Sequence, residues 1–237
     1  MVVEFNLTNF CNLYCKFCPL EPPIERNCIN VSLFHKAISE LQYMQFSGLL
    51  AFSGFCEPLL HPNLEQLIII SRNKLPKAII SLHSNGIELN DRKIKTLKEM
   101  GIDYIIVSAY SKEIFNKFKY DKNVKIKFNH LKKKSNRAGA LFKAKTLNKC
   151  CYYPFYSLYI DWNGDVLFCP HNFYKYNVLG NLKNSSLLSL WNGKKLNSIR
   201  SKLAEKNRNF EPCCYCNIKG TLMGKKVFKK WKETQNI

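Results

Sequence analysis

Two different patterns of apolar and polar positions divide this chain. In its first half, short apolar runs alternate with longer stretches in which apolar residues recur every three or four positions. This alternation is typical of β–α units that assemble a parallel sheet. The apolar runs predict five strands, which are Val2–Asn6, Leu49–Ser53, Ala78–Leu82, Ile102–Ala109 and Val124–Asn129.

The amphipathic stretches between these runs predict four helices. The first begins at an N-cap at Ser32 and continues through Gln42, with its apolar residues on one face. Gly101 ends the third helix, as glycine commonly does at helix C-termini. The other three predicted helices are Leu64–Arg72, Asp91–Met100 and Lys112–Lys119.

In the second half, cysteines lie among aromatic residues instead. The pair Asn163-Gly164 between alternating apolar runs predicts a hairpin with a two-residue turn, which would bring Cys169 back toward Cys151. A helix is predicted at Leu187–Trp191. We therefore expect three parts: a first domain over residues 1–145, a cysteine-rich module over 146–222 and a basic tail over 223–237.

The composition excludes several classes of protein. The 237-residue chain has no apolar run of the roughly 18 residues that a membrane-spanning helix needs, and its N-terminus lacks the pattern of a signal peptide. The 11 cysteines are grouped within a long, core-forming chain, which favours reduced thiols over a secreted disulfide scaffold. We therefore expect a cytoplasmic protein with no membrane partner.

The net charge of +20 raises the question of a nucleic-acid partner. Of the 37 basic residues 31 are lysines, whereas recognition of bases and phosphates favours arginine. The excess of lysine, asparagine, isoleucine, phenylalanine and tyrosine is what an AT-rich genome encodes. We therefore attribute the positive charge to coding bias and expect no nucleic-acid partner. The functional alternative is that the charge attracts an anionic substrate or an acidic protein.

Three cysteines after the first predicted strand carry the strongest chemical signal. Cys11, Cys15 and Cys18 have the spacing C-x3-C-x2-C. Thiolates are the usual ligands of iron–sulfur clusters, and a four-iron cluster ordinarily takes four of them. Three local ligands would leave one iron open to a non-protein ligand, which is a catalytic arrangement. The alternative is a zinc site, but the next cysteine, Cys28, lies beyond three prolines.

This spacing resembles the signature of the radical S-adenosylmethionine (SAM) superfamily. The resemblance implies a 4Fe-4S cluster whose open iron holds the amino and carboxylate groups of SAM, with Phe17 against the adenine. It also implies an α/β fold in the form of a partial (β/α) barrel. The barrel would be trimmed to about five to six parallel strands and followed by a small cysteine-rich C-terminal α+β module.

Further motifs lie at the ends of the predicted strands, where the resemblance places SAM. The segment Ser53–Pro58 is similar to the family's Gly-Gly-Glu-Pro motif, which implies that Gly54 and Glu57 hold the SAM amino group. The usual second glycine is replaced by Phe55 or Cys56, depending on the alignment. The remaining SAM-binding residues implied by the resemblance are Ser84, Asn85 and Ser108.

Other residues near these strand ends have weaker signals. Taken alone, Asn85-Gly86 is an ordinary turn sequence. His83 and His130 could contact a substrate, although such histidines are more often structural. The lysine run Lys132–Lys134 is typical of a solvated surface. The Arg-Ala-Gly sequence at Arg137–Gly139 recurs at this place in the family.

The cysteines of the second half resemble the SPASM/Twitch extension of radical SAM enzymes. The sequences Leu179–Leu182 and Leu190–Asn192 add to this resemblance. It implies one auxiliary 4Fe-4S cluster, with a structural zinc site of four cysteines as the alternative. The implied ligands are Cys151, Cys169, Cys213 and Cys216. Cys150 is an alternative to Cys151, and Cys214 is an alternative to Cys213.

Together these resemblances imply an enzyme that cleaves SAM reductively to a 5′-deoxyadenosyl radical, which abstracts hydrogen from a substrate. We expect oxidation or dehydrogenation of a small-molecule or sugar-type compound, with peptide or protein maturation as the alternative. A non-catalytic iron–sulfur or zinc protein that binds nucleic acid is the alternative from another class. The expected partners are SAM, the substrate and a reducing electron donor such as flavodoxin or ferredoxin, and the sequence assigns no catalytic acid or base.

Overall fold

One mixed sheet organises the computed structural model, which describes residues 1–128, 135–220 and 223–234. Within this described part the sheet has eight strands in the order β5-β4-β3-β2-β1-β6-β7-β8. Six neighbouring strands, β5, β4, β3, β2, β1 and β6, run parallel to one another. The β6–β7 and β7–β8 pairs are antiparallel. Their bounds are β1 Val2–Phe5, β2 Leu49–Phe52, β3 Ile79–Ser84, β4 Tyr104–Ala109, β5 Val124–Phe128, β6 Ser157–Ile160, β7 Asp165–Leu167 and β8 Gly180–Asn181.

The sixth parallel strand comes from the cysteine-rich second half. Strand β6 pairs with β1, so that Val2 lies opposite Ser157 and Phe5 opposite Ile160. All four residues of β6 are buried, as expected for a strand inside a parallel sheet. The sheet therefore crosses the expected domain boundary after residue 145. The three domain limits stay predictions.

The parallel strands form a partial barrel. The sheet does not close on itself, because β5 and β8 are its two edges in the described residues. The predicted α/β fold with about five to six parallel strands is confirmed. The carboxyl ends of β1 to β4 lie along one edge, and loops that follow parallel strands at such an edge are the usual place for a ligand site.

Eight α-helices accompany the sheet in the described residues. Asn30 is the N-cap of the first helix, since its side-chain oxygen accepts a hydrogen bond from the Ser32 backbone N–H at 2.8 Å. The predicted N-cap at Ser32 is therefore wrong. No helix in this part of the chain is both long and apolar enough to cross a bilayer. The bounds are α1 Val31–Tyr43, α2 Leu64–Lys74, α3 Asp91–Glu99, α4 Lys112–Phe118, α5 Tyr153–Tyr156, α6 Leu187–Asn192, α7 Lys194–Ala204 and α8 Gly224–Thr234.

The hairpin between β6 and β7 differs from the predicted two-residue turn. The Asp161 N–H donates to the Asp165 carbonyl oxygen at 2.9 Å, so three residues, 162–164, form the loop. Gly164 has φ +91°, the left-handed conformation that a glycine adopts at the end of such a loop. The hairpin does carry the chain back, and Cys151 and Cys169 are both buried in the same hydrophobic core cluster.

Candidate active site

A cavity of about 310 Å³ lies at the carboxyl ends of the parallel strands, and we call it the main cavity. Its lining combines the cysteine loop after β1 with the segments that follow β2, β3 and β4. The structure thus brings together, from four separate segments, the residues that the sequence implied for the first cluster and for SAM. These lining residues are Cys11, Cys15, Phe17, Cys18, Gly54, Glu57, Ser84, Asn85 and Ser108.

A hydrogen-bond network joins the cysteine loop to the acidic motif. The Asn85 backbone N–H donates to Glu57 Oε2 at 2.8 Å, and the Asn85 side-chain nitrogen lies 3.7 Å from Cys11 Sγ. The Leu59 N–H donates to Glu57 Oε1 at 3.2 Å. Burial raises the pKa of Glu57, while these hydrogen bonds lower it in part. Because both carboxylate oxygens are already held, Glu57 presents a fixed acceptor to the cavity.

The three thiols of the first loop suit a cationic ligand. The Cys18 N–H donates to the Cys15 carbonyl oxygen at 2.8 Å, which folds the loop into a tight turn. Burial, and then the neighbouring thiols of Cys18 and Cys11, raise the pKa of Cys15 to about 11. Thiols that disfavour each other's ionisation become thiolates readily when a metal neutralises them. The residues present therefore fit an iron–sulfur cluster.

Two aromatic rings form one wall of the main cavity. The Phe17 ring, expected against adenine, lies 4.9 Å from the Tyr110 ring between centroids. Burial raises the pKa of Tyr110, and the neighbouring Ser108 side chain lowers it in part. Tyr110 was not predicted as a site residue, although it follows Ser108 closely in the sequence.

Gly54 is required by its surroundings. Its φ is +122°, which residues with a side chain rarely adopt. A Cβ at this position would lie 2.5 Å from the Tyr159 hydroxyl oxygen and 2.6 Å from Asn6 Oδ1. Neighbouring Cys56 is a half-buried residue whose thiol pKa is raised to about 12 by desolvation, so it stays protonated at neutral pH.

A second group of thiols lies in the C-terminal half. Cys151, Cys169, Cys213 and Cys216 are all buried. Burial raises the pKa of Cys169, and the thiols of Cys151, Cys216 and Cys213 raise it further, so the four lie close together. The competing Cys150 points elsewhere, because its thiol donates to the Ala204 carbonyl oxygen at 3.4 Å. Cys214 is only half-buried.

Arg208 supplies positive charge to this second group. It is 1% exposed, and its guanidinium donates hydrogen bonds to the carbonyl oxygens of Lys149 and Ile218, both at 2.8 Å. It lowers the pKa of Cys151, against the dominant effect of burial. No carboxylate in the described ranges forms an ion pair with it. A buried cation needs a counter-charge, and a thiolate-bound cluster would supply one.

The spacing of these thiols does not favour a single zinc ion. A tetrahedral zinc site brings its sulfur atoms within about 4 Å of one another. Throughout the part of the chain that the structure describes, no three His, Cys, Asp or Glu side chains converge closely enough to hold one metal ion. Four thiolates are the usual donor set of a 4Fe-4S cluster, which this group of cysteines fits.

Both groups of thiols lie in segments that match known protein families. Residues 5–111 match the radical SAM superfamily, and residues 150–217 match the iron–sulfur cluster-binding domain called SPASM. The chain therefore contains a radical SAM domain followed by a SPASM domain. The two matches confirm the cofactors predicted from the sequence, which are a 4Fe-4S cluster bound with SAM and an auxiliary iron–sulfur cluster. The individual ligands and SAM-binding residues stay predictions.

Several known proteins are similar to this chain over nearly its whole length. The S-adenosyl-L-methionine-dependent 2-deoxy-scyllo-inosamine dehydrogenase of Niallia circulans is 26% identical over 230 residues, which is 91% of this chain and 92% of that protein. The crystal structure of BtrN in complex with AdoMet and 2-DOIA has a TM-score of 0.82 at 26% identity, covering 92% of each chain. The structure of anSMEcpe with bound AdoMet has a TM-score of 0.59 at 13% identity, covering 100% and 98%, and is similar in fold alone.

An unusual loop brings a positive charge into this radical SAM cavity. Arg137, Ala138 and Gly139 have successive φ values of +50°, +53° and +93°. The loop is held by Asn136, whose backbone N–H donates to Asn217 Oδ1 at 3.0 Å and whose Oδ1 accepts from the Asn217 N–H at 3.2 Å. Left-handed conformations outside glycine are costly and concentrate at functional sites. This loop places the Arg137 side chain in the lining of the main cavity.

Three further polar residues accompany Arg137 and were missed by sequence reasoning. Glu4, Tyr153 and His171 line the main cavity beside it. The His171 Nε2 lies 3.3 Å from the Tyr153 hydroxyl oxygen. Glu4 had a readable signal, since it is a single acid inside the apolar run of β1. His171 lies two residues after Cys169 and so connects the cavity to the auxiliary thiols.

The two histidines expected near substrate have different outcomes. His83 lines the main cavity, and burial, with a smaller effect of Lys127, lowers its pKa to about 4. It is therefore neutral at physiological pH and can accept or donate a hydrogen bond. His130 and the run Lys132–Lys134 lie outside the described residues.

Replacing His83 by glutamine should reduce the acid sensitivity of folding. Between pH 7 and 5 the unfolded histidine takes up a proton that folded His83, with its pKa of about 4, does not. The free energy of unfolding should therefore fall by about 2 kcal/mol more in the wild type than in His83→Gln. Urea unfolding at both pH values measures this difference, with exposed His35→Gln as the control. Equal pH sensitivity in wild type and His83→Gln would show that His83 titrates normally.

Proposed function

We propose that this chain is a radical SAM dehydrogenase that oxidises a hydroxyl group on a small, amine-bearing sugar or cyclitol. The observation that carries this proposal is the position of Glu4 and Arg137, opposite charges that line the same cavity as the SAM motifs. The name of the Niallia circulans relative, a 2-deoxy-scyllo-inosamine dehydrogenase, supports the same chemistry.

The proposed cofactor ligands follow the two groups of thiols. Cys11, Cys15 and Cys18 would hold the first cluster, and the four buried thiols of the C-terminal half would hold the auxiliary one. When bound, the first cluster supplies the electron that cleaves SAM to a hydrogen-abstracting 5′-deoxyadenosyl radical, and the auxiliary cluster accepts the electron that the substrate releases. An external carrier such as flavodoxin or ferredoxin would provide the reducing electrons.

The SAM molecule would be oriented by residues already held in place. Glu57 offers a buried acceptor to the SAM ammonium, because Asn85 and Leu59 fix its carboxylate. The backbone at Gly54 can approach closely since no Cβ intervenes. Phe17 and Tyr110 would lie together on one side of the adenine, and Ser84 and Ser108 would complete the polar contacts.

Glu4 and Arg137 would handle the substrate. Oxidation of an alcohol to a ketone removes one hydrogen atom, one proton and one electron, so the hydroxyl proton needs an acceptor. Burial raises the pKa of Glu4, which makes its carboxylate a stronger base for this proton. Arg137 would hold the oxygen that becomes the carbonyl.

The size of the site favours a small reacting group. The main cavity of about 310 Å³ is at the small end of the usual range for ligand sites. SAM would occupy much of this volume, so the space that remains beside Arg137 suits a small reacting group. Peptide maturation is therefore the less favoured function.

The test is the oxidation itself. Anaerobically reconstituted and reduced protein, supplied with SAM and 2-deoxy-scyllo-inosamine or glucosamine, should form 5′-deoxyadenosine and a ketone in equal amounts. Glu4→Gln should lower ketone formation by roughly 100-fold or more, because the proton acceptor is lost. The exposed Glu65→Gln is the matched control. Formation of 5′-deoxyadenosine without any ketone from either amino alcohol would contradict the proposal.

A further inference from the structure

The C-terminal helix α8 has one aromatic face and one basic face. On the aromatic face the Phe228 ring lies 4.9 Å, and the Trp231 ring 5.0 Å, from the Phe155 ring between centroids, and Gly224 is buried. The opposite face is exposed to solvent and has no part in the site described above. We call it the lysine face, and it consists of Lys225, Lys226, Lys229 and Lys230.

The lysine face does not serve the stability of α8. Lys225 and Lys229 are four positions apart, as are Lys226 and Lys230, and like charges at this spacing destabilise a helix. In the described part of the chain no acidic residue forms an ion pair with any of these lysines. A concentrated positive charge that the protein does not neutralise is suited to attracting an acidic partner.

The helix packs against a segment that begins at the auxiliary thiols. Tyr152 directly follows Cys151, and its ring lies 5.5 Å from that of Phe228 between centroids. The Tyr152 backbone N–H also donates to the Lys219 carbonyl oxygen at 3.2 Å, in the segment that follows Cys216. Along this path a single residue, Tyr152, connects Cys151 to the helix. The lysine face therefore lies on the outer side of a helix that covers the auxiliary half of the molecule.

The charge around the two groups of thiols differs. Residues 9–30, which include the first cysteine loop, contain two basic and two acidic residues. Residues 143–150 and 202–234, which flank or contain auxiliary thiols, contain eleven lysines and three acidic residues. The Cys150 thiol donates to the Ala204 carbonyl oxygen at 3.4 Å, so these two segments touch. Electrostatic attraction would therefore bring an acidic protein to the auxiliary half and not to the first loop.

The side chains of this region favour a protein over a nucleic acid. Its two arginines, Arg200 and Arg208, are only 4% and 1% exposed, whereas recognition of bases and phosphates relies on exposed arginine. Met223 and Val227, at one margin of the lysine face, are 59% and 40% exposed. Apolar side chains beside charged ones are typical of the surface that a protein partner covers.

We propose that the lysine face docks an acidic one-electron carrier protein, which in its oxidised form takes up the electron that substrate oxidation passes to the auxiliary cluster. This inference rests on the proposed function, in which that cluster accepts the electron from the substrate. The carrier gains the one electron that the auxiliary cluster releases, and no bond forms or breaks. An oxidised flavodoxin is a carrier of this class and serves as the probe.

Electron transfer to flavodoxin tests this docking surface. Full-length reconstituted protein is reduced with titanium(III) citrate, desalted and mixed with oxidised flavodoxin, whose flavin absorbance reports the transfer. Replacing all four lysines of the lysine face by glutamine should lower the second-order rate constant by about tenfold or more. A matched variant that loses four other exposed lysines should stay within about twofold of wild type at about 0.1 M salt. Its substitutions are Lys77→Gln, Lys119→Gln, Lys122→Gln and Lys183→Gln.

Stability and charge-preserving controls keep the result interpretable. The melting temperature of the glutamine variant should stay unchanged or rise, because the substitutions remove neighbouring like charges. Replacing the same four lysines by arginine should retain the wild-type rate constant, and the wild-type rate constant should fall steeply as salt is added. A wild-type protein that does not reduce flavodoxin would overturn the inference. So would a rate constant that is insensitive to salt or to the glutamine substitutions.

Two further measurements separate this docking surface from other sites and partners. Cys18→Ala protein, which should lack the first cluster, should reduce flavodoxin with the wild-type rate constant. Loss of transfer in this variant would place the docking surface at the first loop and overturn the inference. A fluorescent uridine oligonucleotide tests the nucleic-acid alternative. Glutamine substitutions that abolish oligonucleotide binding but leave electron transfer unchanged would assign the lysine face to nucleic acid and overturn the inference as well.

Failure of this inference can be told apart from failure of the proposed function. If flavodoxin is reduced through the lysine face but no amino alcohol gives a ketone, the docking surface stands and the assigned reaction falls. If the ketone forms but the glutamine variant reduces flavodoxin as fast as wild type, the dehydrogenase activity stands and the docking surface falls.

Discussion

Cys18→Ala protein should form no detectable 5′-deoxyadenosine from SAM under reducing, anaerobic conditions. Only Cys11 and Cys15 would remain in the first loop, and two local thiolates cannot hold a four-iron cluster with one open iron. The loss should exceed about 1,000-fold, because neither SAM coordination nor electron supply would remain. Chromatographic measurement of 5′-deoxyadenosine in the reconstituted protein gives the comparison with wild type.

The iron content of the same variant separates the two clusters. It should fall to roughly half the wild-type value, since the auxiliary cluster does not depend on the first loop. Cys28→Ala is the matched control, because Cys28 is a half-buried thiol outside both groups and should leave iron and activity unchanged. SAM cleavage by Cys18→Ala at the wild-type rate would show that the first loop does not hold the catalytic cluster.

Replacing Arg208 by methionine should have the largest effect on stability. The substitution leaves the Lys149 and Ile218 carbonyl oxygens without their buried donor, and it removes the positive charge beside the auxiliary thiols. We expect the free energy of unfolding to fall by about 3 kcal/mol or more. The auxiliary cluster should also be lost, so iron content should fall while the first cluster still forms.

Denaturant unfolding and iron analysis of Arg208→Met measure both effects. Exposed Arg92→Met is the control for loss of a surface arginine and should match the wild type in each measurement. An Arg208→Met protein with full iron content would mean that the auxiliary thiols do not need this counter-charge. Full stability with reduced iron would confine its role to the cluster.

Local signals account for the parts of this molecule that the sequence predicted well. Strands β1 to β5 follow from apolar runs, and the residues lining the main cavity follow from short motifs placed after those strands. The errors at Ser32 and at the β6–β7 turn are also local, because neighbouring polar residues compete for the same cap or turn. Asn30 begins the helix since its side chain reaches the Ser32 N–H.

Non-local contacts account for what the sequence did not show. The pairing of β6 with β1 joins residues more than 150 positions apart, and no spacing rule relates them. Arg137 enters the main cavity only because its loop takes three left-handed residues and is tied to Asn217. Glu4 could have been found from the sequence, as an acid within an apolar strand.

The position of β1 has a consequence for how the chain is made. Among the described strands β1 is synthesised first, yet one of its two neighbours is β6, which is synthesised more than 150 residues later. Until then β1 presents an open strand edge, which is a site for aggregation. Pairing of this edge of β1 thus waits for β6, in the segment between Cys151 and Cys169. The N-terminal half can therefore finish folding only after the half that carries the auxiliary thiols has been synthesised.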